Sequence, residues 1–176
     1  MSVSSIRRSG AGSVADSLAW GHPAGSTWIN NLIDKAVRAI SASYVLNALG
    51  FKACARSILV EASPTLTSLI TYLSTGRYIN GLASELDSLL PPDALLSISD
   101  DELQELLEAA SLLRHPALDP HVKSVAVDRV KHLLRKVFGG RVEGRVLRRV
   151  IEEGGAEEVT QAVSTLLAVM LNKMEG

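Results

Sequence analysis

Cysteine occurs once, at position 54, so no disulfide can close within the chain and the fold must be held by packing. Aromatic residues are scarce at 4%, and after Tyr78 only Phe138 remains. Any later helices therefore pack with Leu, Val, Ile and Ala. No apolar run reaches the roughly 18 residues that a bilayer span needs, since the uncharged stretches over residues 62–76 and 159–172 are shorter than that. A transmembrane protein is not expected. Arg7-Arg8 are followed by Ser9-Gly10-Ala11-Gly12-Ser13 and Asp16, where a twin-arginine signal would need an apolar core, which argues against export by that route.

The chemistry of catalysis is also missing. No Ser/His/Asp or Cys/His set and no pair of carboxylates stands in a recognisable context. Gly10-Ala11-Gly12 and Gly139-Gly140 follow no strand, so they lack the setting of a phosphate-cradling loop. His115, Asp119 and His121 cluster around two prolines, yet supply too few ligands for zinc, and Cys54 is remote in sequence. A polar capping loop is the expected role of that cluster. The reading is of a protein that is not an enzyme and uses no cofactor, metal or small-molecule substrate.

What is present is apolar material, at 47% hydrophobic residues, and a charge that is unevenly distributed. The length suits one well-buried fold. The net charge of -1 conceals a basic head on an acidic body. Residues 1–60 carry Arg7, Arg8, Lys35, Arg38, Lys52 and Arg56 against Asp16 and Asp34, a surplus of four, whereas the remaining 116 residues carry 12 cations against 17 anions. A polyanionic partner would meet the head. Arginine outnumbers lysine 12 to 6, and Asn plus Gln total seven, a composition that leans toward a hot environment.

Helical periodicity runs throughout, and no strand alternation bounded by hairpin turns interrupts it. Residues 1–13 form a basic arm that cannot bury a face of its own, and residues 13–20 suit two helical turns before a bend at Gly21-His22-Pro23-Ala24-Gly25. From Ser26 or Thr27, a candidate cap, a rod is predicted over residues 26–62, either straight through Gly50 or hinged there. On a straight rod, Lys35, Arg38, Lys52 and Arg56 share an arc of about 100°, with Arg38 and Arg56 on one line. Ile33, Ile40, Tyr44, Phe51, Cys54 and Ile58 share a second arc of about 80°, which predicts a buried Cys54.

Pro64, capped by Ser63, is expected to stop the rod and start a helix that ends near Ser74. Further helices are predicted over residues 78–90 and from the capping box Ser99-Asp100-Asp101-Glu102 onward. Another follows Asp119-Pro120 to Phe138, and two more cover residues 141–153 and 156–174. The last is apolar almost all round between Val163 and Leu171 and belongs at the centre of the bundle. The expected fold is all-α: an N-terminal part, residues 1–62, that takes its shape from a partner, and a compact bundle, residues 63–176. Lys123 to Arg149 holds nine cations against Asp128 and Glu143, a second basic region open to three readings: a solvated surface with Arg148 and Arg149 four residues before Glu152 and Glu153, a face against the acidic Asp100–Glu108 helix within the subunit or across a subunit contact, or a nucleic-acid site.

This layout, a basic arm, long helices with a Gly/Pro bend and then an aliphatic helical bundle, resembles the major coat proteins of filamentous viruses of hyperthermophilic archaea. The tristromavirus plan, with two related coat proteins, is the nearest in design, and rudiviruses and lipothrixviruses share it. The resemblance implies a capsid subunit of a helical virion whose N-terminal helices wrap linear double-stranded DNA, with Arg7, Arg8, Lys35, Arg38, Lys52 and Arg56 on its phosphates. It also implies contacts with copies of itself, a second coat protein as one alternative, and, in enveloped members, a surrounding lipid layer. Phosphate contacts of this kind are independent of base sequence. Two rival readings are a cellular, cytoplasmic DNA-binding regulator using a recognition helix such as residues 141–153, and a helical interaction module without nucleic acid.

Overall fold

The computed structural model describes residues 25–90, 99–138 and 144–175, and these form seven helices with no strand among them. In chain order they are α1 (Gly25–Ala48), α2 (Lys52–Leu73), α3 (Leu82–Leu89), α4 (Asp100–Leu112), α5 (Pro120–Val137), α6 (Arg145–Glu153) and α7 (Ala156–Glu175). The all-α expectation holds. The expected arm over residues 1–13, the short helix over 13–20, Arg7 and Arg8 lie outside the described residues.

The rod is two antiparallel helices. At Gly50 (φ 92°) the chain enters the left-handed region, which glycine adopts at little steric cost. The Phe51 N–H donates to Leu46 O at 2.8 Å and the Gly50 N–H to Asn47 O at 3.1 Å. That pair of bonds is a Schellman termination, with Gly50 just past the cap, and it reverses the chain where a straight continuation was one expectation. Inside the hairpin, the buried Ser43 hydroxyl donates to Ala55 O at 3.0 Å and fixes the register.

Reversal breaks the phase of the arcs counted through Gly50. Ile33 and Ile40 are buried, Tyr44 and Ile58 half-buried, and Phe51 and Cys54 exposed. Cys54 is therefore not the buried hydrophobe that the arc predicted. Two other boundaries move. The helix α1 starts at Gly25, ahead of Ser26 and Thr27. Pro64 neither stops nor starts a helix, because α2 runs through it. Leu59 and then Leu66, Leu69 and Leu73 bury one continuous stripe on both sides of the proline, and this packing outweighs the roughly 3 kcal/mol that an interior proline costs.

The boundary expected between residues 62 and 63 falls in mid-helix. Ile29, Ile33, Ala36, Val37, Ile40 and Leu59 enter the same apolar core as Leu103, Leu107, Leu133, Val163 and Leu167. The described part of the first sixty residues is thus completed by its own chain, against the expectation that a partner shapes it. Helix α7 lies at the centre as predicted, packing against α2 to α6, with Val159, Ala162, Val163, Leu166, Leu167 and Met170 buried. Gln161, also buried, accepts from the N–H and hydroxyl of Thr75 beyond the end of α2.

Ser99 and Glu102 form the capping box read from the sequence, and Asp119 caps α5 by accepting from the N–H groups of His121 and Val122. His115 Nδ1 accepts from the Ala117 N–H within the loop, in keeping with a polar role there. Helix α3 starts at Leu82 rather than Tyr78, after Gly81 in the left-handed region.

Helix α6 has no side-chain cap of its own. Glu85 of α3 supplies one from a distance, accepting from Val146 N–H at 3.0 Å and Leu147 N–H at 2.7 Å. A carboxylate there satisfies two orphan donors and complements the positive end of the helix. Gly144 gives it room, because a Cβ at that position would overlap the Glu85 carboxylate. Gly144→Ala should therefore expel the cap and cost about 1–2 kcal/mol, as should Glu85→Ala. In a double-mutant cycle by urea unfolding, the two losses should overlap rather than sum. Fully additive losses would show that the two positions act separately.

Candidate nucleic-acid interface

All four described candidate cations, Lys35, Arg38, Lys52 and Arg56, are exposed on the first hairpin. The reason is local. Within α1, Ile29, Ile33, Ala36, Val37 and Ile40 take the inward stripe, which leaves Lys35 and Arg38 on the far face. In α2, Ala55 and Leu59 point inward, while Lys52 and Arg56 occupy the first two turns. With Ser43 level with Ala55, Arg56 and Arg38 lie about 6 Å apart along the hairpin and all four cations span about 16 Å. They come from two antiparallel helices, so the single line of Arg38 and Arg56 expected of a straight rod is not formed.

Arg38 pairs with Asp34 one turn earlier at 3.1 Å, with its own side chain 78% exposed. Such a pair contributes a few tenths of a kcal/mol and leaves most of the guanidinium to solvent. Among the described residues, Lys35, Lys52 and Arg56 have no acidic partner. Helix α2 also has no acid in its first turn and no side-chain cap at Phe51, so nothing there offsets Lys52 and Arg56.

The second basic region is used differently. Arg129 of α5 forms a forked pair with Glu105 of α4, with Nη2 at 2.8 Å from Oε1, and Lys136 pairs with Glu102. Of the alternatives read from the sequence, contact with the acidic helix within the subunit is the one Arg129 and Lys136 adopt. The hydrogen bond from Lys136, followed by the Ser99 backbone N–H, holds the Glu102 carboxyl below its usual range, and the Glu105 hydrogen bond raises the Arg129 guanidinium. Around α6, Arg145, Arg148, Arg149, Glu152 and Glu153 line an open, mixed-charge depression. No group of three His, Cys, Asp or Glu able to hold a metal occurs among the described residues. None of their helices is long and apolar enough to cross a membrane.

The reading from sequence missed the apolar end of the hairpin, where Val45, Leu49 and Phe51 are exposed. Its signal was Gly50 followed by an apolar residue, the pattern of a Schellman stop.

Because Glu102 titrates lower in the folded chain than in the unfolded one, its pairing stabilises the fold above the ordinary carboxylate range and fades as pH falls through the folded value. Lys136→Ala should move the Glu102 carboxyl, followed by NMR, upward toward its usual value. The stability gap between variant and parent should be present at neutral pH and close in strong acid. An unmoved Glu102 titration would refute the pairing.

No protein-family model matches the chain, and neither a curated protein nor a solved structure matches it.

Proposed function

We propose that this protein is a non-enzymatic assembly subunit that binds duplex DNA through its first hairpin without reading base sequence. In its most specific form it is the coat subunit of a filamentous virion, acting with copies of itself or with a second related subunit. The observation that carries this reading is the set of four exposed cations on α1 and α2, three of them without an acid partner among the described residues. Their hairpin is anchored in the apolar core, so the cations sit on a rigid support. A rigid positive surface loses little entropy when it releases the counterions of a phosphate polymer.

Support for a second reading, a protein interaction module without nucleic acid, comes from the exposed apolar end of the same hairpin. Nuclease treatment separates the two, because only an assembly built on DNA disperses when the DNA is digested.

Mixing the purified chain with linear duplex at low salt should give regular filaments under the electron microscope. Replacing Arg38 and Arg56 with Ala should weaken binding to all duplexes alike. It should also flatten the dependence of log affinity on log salt by about 0.9 for each phosphate that is no longer neutralised. A soluble monomer that ignores DNA at low salt would end the proposal. Unchanged affinity and slope in the double variant would move the interface off this hairpin.

A further inference from the structure

Trp28, on the first turn of α1, is 53% exposed, although a tryptophan is mostly buried on average. Packing assigns it to the outer face. Ile29, Ile33, Ala36 and Ile40 take the inward stripe of α1, and Trp28 lies about 100° round the helix from Ile29. On that outer face Trp28, Asn31, Lys35 and Arg38 are all exposed. Their spacing of three, four and three residues keeps them within an arc of about 80° over about 15 Å of helix.

The indole is held in place. Its ring meets that of Tyr72, near the end of α2, edge to face, with centroids 5.9 Å apart and planes at 77°. Such a contact covers at most one face of the indole and leaves the other open. Tyr72 is itself half-buried, which fixes the platform.

Cations stand on both sides of this aromatic pair. Lys35 follows Trp28 two turns along α1, about 10 Å away. Arg114 lies beyond the pair. Helix α4 starts beside Ser41, whose hydroxyl donates to Asp100, and packs along α1, so that Arg114, just past its end, comes level with about Trp28. Burial pushes the Tyr72 phenol above its ordinary range and the Arg114 guanidinium pulls it partway back, which sets that charge near the ring. Neither Lys35 nor Arg114 has an acid partner among the described residues, because Asp34, the one acid of α1, pairs with Arg38.

An open aromatic ring between two unpaired cations is complementary to a base between two phosphates. Every nucleotide of a strand supplies that alternation, yet in a duplex the base faces are stacked on one another and closed to a side chain. We infer that this end of the first hairpin takes single-stranded DNA, with one unpaired base stacked on Trp28 and the flanking phosphates on Lys35 and Arg114. Base identity is not read, since every base has a π-face. This inference rests on the DNA reading of the hairpin proposed above and adds an unpaired strand to it.

The test uses the full chain carrying Trp20→Phe, which leaves Trp28 as the only tryptophan. An oligothymidylate of about twelve nucleotides, within the usual range of single-strand site sizes, should quench the Trp28 fluorescence. Trp28→Ala should weaken that binding at least about fivefold, the loss of one base stack, and Trp28→Phe should keep most of it. An abasic oligomer of the same length should bind the parent and Trp28→Ala alike. Lys35→Ala and Arg114→Ala should each flatten the dependence of log affinity on log salt by about 0.7, the single-strand value per phosphate. Circular dichroism checks that each variant is as helical as the parent, and the quenching itself needs no change at the site. Unquenched Trp28 at saturation, unchanged affinity in Trp28→Ala, an equal loss on the abasic oligomer, or unmoved salt slopes would each overturn the inference. Duplex binding is measured in parallel. A chain that binds duplex but no single strand refutes this inference alone, and one that binds single strands but no duplex refutes the function above alone.

Discussion

The reversal at Gly50 is the constraint on which the rest of this fold depends. A side chain at that position would oppose the positive φ, and without the two Schellman hydrogen bonds the helix could continue outward. Because the chain turns back, Leu59, Leu66, Leu69 and Leu73 return along Ile29, Ile33, Ala36 and Ile40, and the two helices close one side of a common core. The same turn leaves Val45, Leu49 and Phe51 beyond the reach of α4 and α7. One glycine thus creates both the pairing of α1 with α2 and an exposed apolar end among the described residues.

Charge follows packing in a similar way. The α5 helix turns Val130, Leu133, Leu134 and Val137 inward, and this brings Arg129 and Lys136 to the acidic edge of α4. The cations of α1 and α2 have only Asp34 as a paired acid among the described residues. So the two basic regions, similar in composition, differ in availability. Arg129 and Lys136 of one meet acids within the chain, whereas Lys35, Lys52 and Arg56 of the other meet none among the described residues, and the proposed function rests on that first hairpin.

Elsewhere the fold is stitched by polar contacts made at long range in sequence. Glu85 caps α6 from α3, Gln161 binds the end of α2 from α7, and Lys173 of α7 donates to Leu90 O beyond α3. Glu85 and Lys173 satisfy groups that a helix end leaves without partners, Gln161 satisfies donors just past one, and each contact ties two elements into one unit.

Features set by near neighbours were legible in the sequence. The capping box at Ser99 and Glu102, the Asp119-Pro120 start of α5, the amphipathic face of α4 and the central place of α7 follow from residues within a turn or two of one another. Of the candidate site, the exposure of Lys35, Arg38, Lys52 and Arg56 was legible and their alignment was not. Local rules make Pro64 a stop and Cys54 a buried residue, because they weigh one proline or one phase angle and cannot count the leucines that a reversed partner helix provides. The amino-acid order by itself determined the helices and the segregation of charge, since both depend on contacts a few residues apart. Only the tertiary structure decided how the arcs of the rod divide between two helices, which cations remain unpaired and where the apolar end protrudes, since these depend on how one helix lies against another.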